Sequence, residues 1–206
     1  MDINQPVYTD TEMLLLYCYR VASTVGLMMS HVIGLNNLSA LHSAAQLGIA
    51  MQLTNICRDV LEDWNMNRLY LPQDLLAQFG IANLKDSLGK PFPASYIQPM
   101  KRVIQQLLKI SNTYYKVSNN GLLALPWQAS ISIRAAGRIY SSIGKKIKSN
   151  DYDITSGRAV VPLSQKILCL LFSLYDGFSE IPNRLSNNAD YNIPTKILTF
   201  NELNLL

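Results

Sequence analysis

The stretch Gln52–Pro72, QLTNICRDVLEDWNMNRLYLP, sets the reading of the whole chain. On a helix, Gln52, Asn55, Asp59 and Asp63 follow one another at spacings of three, four and four residues and share one face. Leu53, Ile56, Val60 and Trp64 lie largely off that face. Two carboxylates at i and i+4 with no cation between them repel by roughly a few tenths of a kcal/mol in water, and by more when desolvated. A positive charge therefore belongs between them. A hard divalent ion such as Mg²⁺ takes oxygen ligands, binds through one or two carboxylates and completes its shell with water and substrate phosphates. Asn55 can add an amide oxygen on the same face. The same spacing also suits a solvated helix end whose carboxylates are satisfied by Arg58 or Arg68, and spacing alone leaves both open.

Outward from that stretch, periodic apolar segments of roughly 15 to 28 residues alternate with Gly, Pro and Asn breaks, and no sustained period-2 pattern appears. The chain reads as all-α. Helices are expected near Thr11–Ile33, Leu38–Asn65, Gln98–Ser118, Trp127–Lys148 and Val161–Tyr175. Pro99 and Pro126 suit first-turn positions. Met100, Val103, Ile104, Leu107 and Leu108 form the apolar stripe of a helix packed on one face. Pro91 and Pro93 make Leu88–Gln98 mostly loop. One domain over 1–180 and a loosely structured tail over 181–206 are expected, with SNNADYN (Ser186–Asn192) in the tail.

Composition narrows the function classes. A chain of 206 residues, 49% hydrophobic and 16% charged, suits one domain with a substantial core. The net charge of +4 is scattered apart from Lys145, Lys146 and Lys148, which suit a solvated helix end, and no nucleic-acid-reading motif accompanies them. Cys18, Cys57 and Cys169 are odd in number and set among apolar residues, which argues against disulfides and zinc and for a reducing, cytoplasmic compartment. His31 and His42 have no ligand spacing and read as structural. The polar start MDINQPVYTDTE does not read as a signal peptide. From Val21 to Cys57, 37 residues carry no Asp, Glu, Lys or Arg. Asn36, Asn37, Ser39, His42, Ser43 and Gln46 interrupt this run, so it is not expected to span a membrane. A buried helix pair is the alternative. Its small residues Ala22, Gly26, Ala44, Ala45 and Gly48 either pack closely or leave room for an apolar ligand, and composition favours close packing.

The segments YCYRVASTVGLMM, LGIAMQLTNICRDVLEDWNMNRLYLPQDLL and SNDYDITSGRAVV resemble the squalene/phytoene synthase family, and within it bacterial phytoene synthases most. The resemblance runs from about Met13 to Lys166, and its second block is highly specific. It implies an all-α isoprenoid (terpenoid) synthase fold, here its C-terminal two thirds, around a central cavity. It implies head-to-head condensation of two prenyl diphosphates: two geranylgeranyl diphosphates to phytoene through a cyclopropylcarbinyl diphosphate, with release of diphosphate. By the same resemblance Asp59 and Asp63 match the family's second aspartate-rich motif and hold Mg²⁺, with Mn²⁺ as the alternative ion, and Asn55 and Gln52 stand beside that cluster. Arg58 and Tyr70 fall near the same site. Tyr17, Val21, Val25, Gly26, Ala44 and Gly48 match positions lining the prenyl cavity. Tyr140, Arg158 and Lys166 match groups facing the diphosphates, and Tyr152 lies in the turn between them. Asp59, Asp63, Arg58, Tyr140 and Tyr152 are thereby the catalytic candidates.

The resemblance also marks a gap. The family carries a first aspartate-rich motif upstream of the block that begins at Tyr17, and Met1–Asp10 contains only Asp2 and Asp10. The chain is thus expected to be a truncated prenyltransferase, inactive until an upstream segment or partner chain supplies the other motif. The alternatives are a squalene or dehydrosqualene synthase fragment and a non-catalytic helical assembly protein. NADPH is not expected, since no GxGxxG follows a strand. Apolar substrates and product imply peripheral membrane contact without a span.

Overall fold

The computed structural model describes residues 7–185, and within them the protein is built of helices with no strand. The first helix runs Thr11–Ile33 as α1 (Thr11–Cys18), a π-helical turn (Tyr19–Ser23) and α2 (Thr24–Ile33). It starts where the side chain of Asp10 accepts a hydrogen bond from the Met13 N–H at 2.8 Å and stops at Gly34, whose φ of +91° a residue with a Cβ rarely adopts. There follow α3 (Leu41–Arg58), α4 (Val60–Asn65), α5 (Gln73–Gln78), α6 (Ile97–Ser118), α7 (Trp127–Ser149), α8 (Leu163–Ser179) and α9 (Ile181–Leu185).

The expected helices are present with boundaries shifted by a residue or two, except that the second is divided and the fifth runs four residues further. At Asp59 the backbone leaves helical geometry (φ −104°, ψ 15°), separating α3 from α4. Sequence reasoning missed α5 and α9, which are only six and five residues long. Residues 181–185 of the expected tail are thus helical, and its remainder, including Ser186–Asn192, lies outside the described residues.

The central helix is α3, packed on α2, α6 and α7. The stripe Met100, Val103, Ile104, Leu107 and Leu108 of α6 is buried in the core together with Leu53 and Ile56 of α3. Each such side chain contributes on the order of 2 kcal/mol through burial. Polar groups at this seam are paired: Thr54 Oγ1 lies 3.0 Å from Ser111 Oγ and 3.1 Å from Tyr115 OH, and Ser111 Oγ donates to the Ala50 carbonyl at 2.9 Å. Burial drives the Cys18 and Cys57 thiols up, so both are inert core residues.

The first helix corrects one expectation. Thr11–Ile33 has 23 residues and a mean hydropathy of 1.3, long and apolar enough to cross a membrane by length and composition alone. No unbroken apolar run is needed for this: the window reaches that hydropathy with polar side chains interspersed. In the structure the helix packs along α3: Ser23 Oγ donates to the Ala45 carbonyl at 2.5 Å, and a Cβ on Gly48 would stand 2.6 Å from Ser23 Cα.

Candidate active site

One face of α3 builds the site. Ala44, Leu47, Gly48, Met51, Gln52 and Asn55 recur at helical spacing and line a cavity of about 490 Å³. Val21 and Ala22 of the π turn with Val25, Gly26 and Met29 of α2 form one wall, Ile133, Ala136 and Tyr140 the α7 wall, and Gly121, Leu122 and Leu125 the end beyond α6. The small residues therefore do both things sequence left open: Gly48 lets the backbones of α3 and the π turn meet, and the same row borders the cavity. The π turn itself, a form frequent at functional sites, lies directly against α3.

The two aspartates continue that face past the cavity. Although the helix is broken at Asp59, the Asp59 N–H donates to the Asn55 carbonyl at 2.9 Å and the Asp63 N–H to the Asp59 carbonyl at 2.7 Å. Asn55, Asp59 and Asp63 thus stack one turn apart. Asp59 is held by two guanidinium forks. Arg58 Nε and Nη2 donate to its Oδ1 and Oδ2 at 2.7 and 2.5 Å, and Arg158 Nε and Nη2 donate to the same oxygens at 3.0 and 3.4 Å. Arg158 also reaches Glu62 at 3.4 Å. Burial acts to raise Asp59, but the hydrogen bonds from Arg58 and Arg158 outweigh it and hold the carboxyl below its ordinary range. Asp63 goes the other way. Burial first, then the neighbouring charge of Asp59, pushes it up to about 6.

Opposite shifts in carboxylates one turn apart are a functional-site signature. The arrangement meets both sequence alternatives in part: arginine does satisfy Asp59, but by Arg58 and Arg158, and Asp63 has no such ion pair among the described residues. Arg68 donates its backbone N–H to the Asp63 carbonyl, and its charge only moderates Asp63.

The residues fit a magnesium ion in one specific way. Among the described residues no cluster of three or more His, Cys, Asp or Glu side chains stands ready to hold a metal. Two carboxylates with an amide oxygen, completed by water and phosphate, is nonetheless a composition Mg²⁺ accepts. Asn55 Oδ1 is buried with no hydrogen-bond partner, an acceptor in want of a cation or donor beside the carboxylates.

The other expected site residues divide into groups. Val21, Val25, Gly26, Ala44, Gly48, Gln52, Asn55 and Tyr140 line the cavity. Tyr152 shares a small cleft with Arg58 and Gly157. Tyr70 shares another with Asp63 and Arg68. Tyr17 is not among the lining residues: it is 4% exposed and stacks on Tyr70, ring centroids 5.2 Å apart, with Tyr8 edge-on to it at 5.3 Å. Its role is thus to back Tyr70. Lys166 lies exposed in the first turn of α8, and no hydrogen bond or ion pair joins it to the aspartates. Sequence reasoning missed Leu47 and Met51, though their spacing from Ala44 and Asn55 was legible. It also missed Gly121, Leu122 and Leu125, for which it holds no signal.

Comparison with known proteins gives the family and the fold. The family described as squalene/phytoene synthase matches residues 1–165. A 15-cis-phytoene synthase of Enterobacter agglomerans is 36% identical over 149 residues, 71% of this chain and 48% of that protein. One from Pantoea ananas is 32% identical, covering 83% of this chain and 54% of its own. The chain therefore spans about half the length of these curated relatives. Among solved structures, a dehydrosqualene synthase in complex with ligand superposes with a TM-score of 0.75 at 25% identity, over 87% of this chain and 62% of that one. The fold is the all-α isoprenoid synthase fold of these neighbours, and the chain belongs to the squalene/phytoene synthase family.

Proposed function

We propose that the protein contributes to the head-to-head condensation of two prenyl diphosphates, two geranylgeranyl diphosphates giving phytoene through a cyclopropylcarbinyl diphosphate. The observation that carries this reading is the stack Asn55–Asp59–Asp63 running directly on from an apolar cavity of about 490 Å³. Polar groups at a mouth and apolar walls within are what a diphosphate joined to a prenyl chain requires. The walls exclude water, which would otherwise capture an allylic cation. Arg58 and Arg158 present planar forks suited to phosphate oxygens. Asn55, Asp59 and Asp63 would hold Mg²⁺, whose chemistry there is to neutralise the negative charge that builds on a departing diphosphate. Tyr140, which lines the cavity near Arg58, and Tyr152, beside Arg58, border the reacting end.

Among the described residues no carboxylate lines this cavity, and Asp59 and Asp63 are the acidic pair that continues its α3 face. Two diphosphates need two such clusters to bring their allylic ends to reacting distance, and losing that positioning can forfeit several kcal/mol of barrier reduction. In this reading a second acidic cluster, brought by another segment or a partner chain, holds the second diphosphate. Incubation with geranylgeranyl diphosphate and Mg²⁺, followed by hydrocarbon extraction and chromatography, tests this. The chain alone should yield no phytoene. Adding the N-terminal part of a relative should restore product, and Asp59→Ala or Asp63→Ala should abolish the restored turnover. Full turnover by the chain alone, or restored turnover unaffected by both substitutions, overturns the reading.

A further inference from the structure

Asp59 has no free lone pair. A carboxylate offers about four acceptor positions, and the two guanidinium forks fill them with the four hydrogen bonds described above. Any cation that uses Asp59 must first displace one fork. The two are not equivalent. Arg58 is on the helix, 15% exposed, adjacent in sequence and close at 2.5 and 2.7 Å. Arg158 is 54% exposed, sits in the loop that follows Ser156 directly after Gly157 (φ +83°), and bonds at 3.0 and 3.4 Å. Glu62, half exposed, gives it a second anchor at 3.4 Å. The weaker, more exposed fork is the one that leaves.

We propose that Arg158 is a gate on Asp59: in the unliganded protein its guanidinium occupies the carboxylate face a divalent ion needs, Glu62 holds it there, and an arriving diphosphate draws it off. The inference rests on the site reading above and adds an order to it, diphosphate engaging Arg158 before Asp59 becomes available. Diphosphate oxygens compete well for the fork because they accept the same bidentate geometry with more charge. Glu62, one turn from Asp59 and outside the cavity, thereby becomes a positioning residue.

The probes are Mn²⁺ alone and inorganic pyrophosphate alone in the presence of EDTA, each titrated calorimetrically into the full chain. Arg158→Gln should tighten Mn²⁺ alone by about tenfold, the worth of one charge-assisted hydrogen-bonded fork, while weakening pyrophosphate. Arg158→Lys separates occupancy from charge, since it keeps the charge and loses the fork. It should also tighten Mn²⁺, by about threefold, an intermediate gain because one charge-assisted hydrogen bond survives. Metal-free pyrophosphate should shift the Arg158 Nε–H resonance and leave that of Arg58 in place. Mn²⁺ affinity in Arg158→Lys equal to that of the unaltered protein overturns the gate, as does an unchanged affinity in Arg158→Gln or an unmoved Arg158 resonance. Asp59→Asn and Asp63→Asn tell this failure from that of the site: if neither lowers Mn²⁺ affinity, the metal site itself is wrong. If both lower it and the Arg158 variants gain nothing, only the gate fails.

Discussion

At the scale of single residues, Asp59 and Asp63 differ in environment more than their identical chemistry suggests. Asp59 is neutralised by arginine, whereas Asp63 is raised to about 6 from 3.8 by burial and by Asp59 itself. A raised folded-state value means that between pH 4 and 6 the unfolded chain releases this proton first, so the Asp63 contribution to stability falls as pH rises through that window. Below pH 4 both states hold the proton and the penalty vanishes. Discounted for partial exposure, the penalty at pH 7 is about 1 kcal/mol. Asp63→Asn in the metal-free protein should recover it, raising urea-denaturation stability at pH 7 and flattening the pH dependence from 4 to 6. Equal stability gains at pH 3.5 and pH 7 would remove ionisation as the cause. A gain in stability there is the trade expected if Asp63 serves the binding role proposed for it.

At the scale of elements, the contact between the π turn and α3 is the tightest approach of a cavity glycine to neighbouring backbone. A Cβ at Gly48 would lie 2.6 Å from Ser23 Cα and 2.7 Å from Ser23 N, and backbone cannot yield as a side chain does. Gly48→Ala should therefore cost about 1–3 kcal/mol in urea denaturation despite the better helix propensity of alanine. Gly137→Ala is the control. Its Cβ would meet only Leu47 Cδ1, at 3.5 Å, so the propensity gain of about 0.5–1 kcal/mol should appear with its favourable sign. Destabilisation by both would show that α3 tolerates no addition on either side. The α7–α8 seam shows a different economy of contact. It buries the small stripe Cys169, Ser173 and Gly177 of α8 and ties the helices by ion pairs, Arg134 to Asp176 at 3.1 Å and to Glu180, and Arg138 to Asp176 at 2.5 Å.

At the scale of the molecule, that choice turns the apolar side chains of α8 outward. Leu163, Phe172, Tyr175 and Phe178 are all more than half exposed, and on the first long helix so are Met28 and Val32. A helix face that presents large apolar side chains to solvent suits a contact region. Together with the apolar substrates of the proposed reaction, it leads us to propose a peripheral association with membranes. The chain expressed in a bacterial host should sediment with membranes at neutral pH and be released by alkaline carbonate. Release only by detergent would instead make Thr11–Ile33 a membrane span, consistent with its length and hydropathy.

Sequence by itself determined the helical class, the core stripe of α6 and the common face of Gln52, Asn55, Asp59 and Asp63, because each depends on local helical spacing, which the backbone bonds at Asp59 and Asp63 carry across the break between α3 and α4. It also held the family signature in Gln52–Pro72, a local pattern of residue types. Tertiary structure alone decided that Arg158, 99 residues from Asp59, closes over it, and that Tyr17 backs Tyr70 instead of lining the cavity. It alone decided that α8 buries its smallest residues and exposes its largest. The physical reason is shared: hydrophobic periodicity says which face of a helix is apolar, but which face is covered depends on the partner helix, and a side chain's counter-charge depends on which loop returns to it.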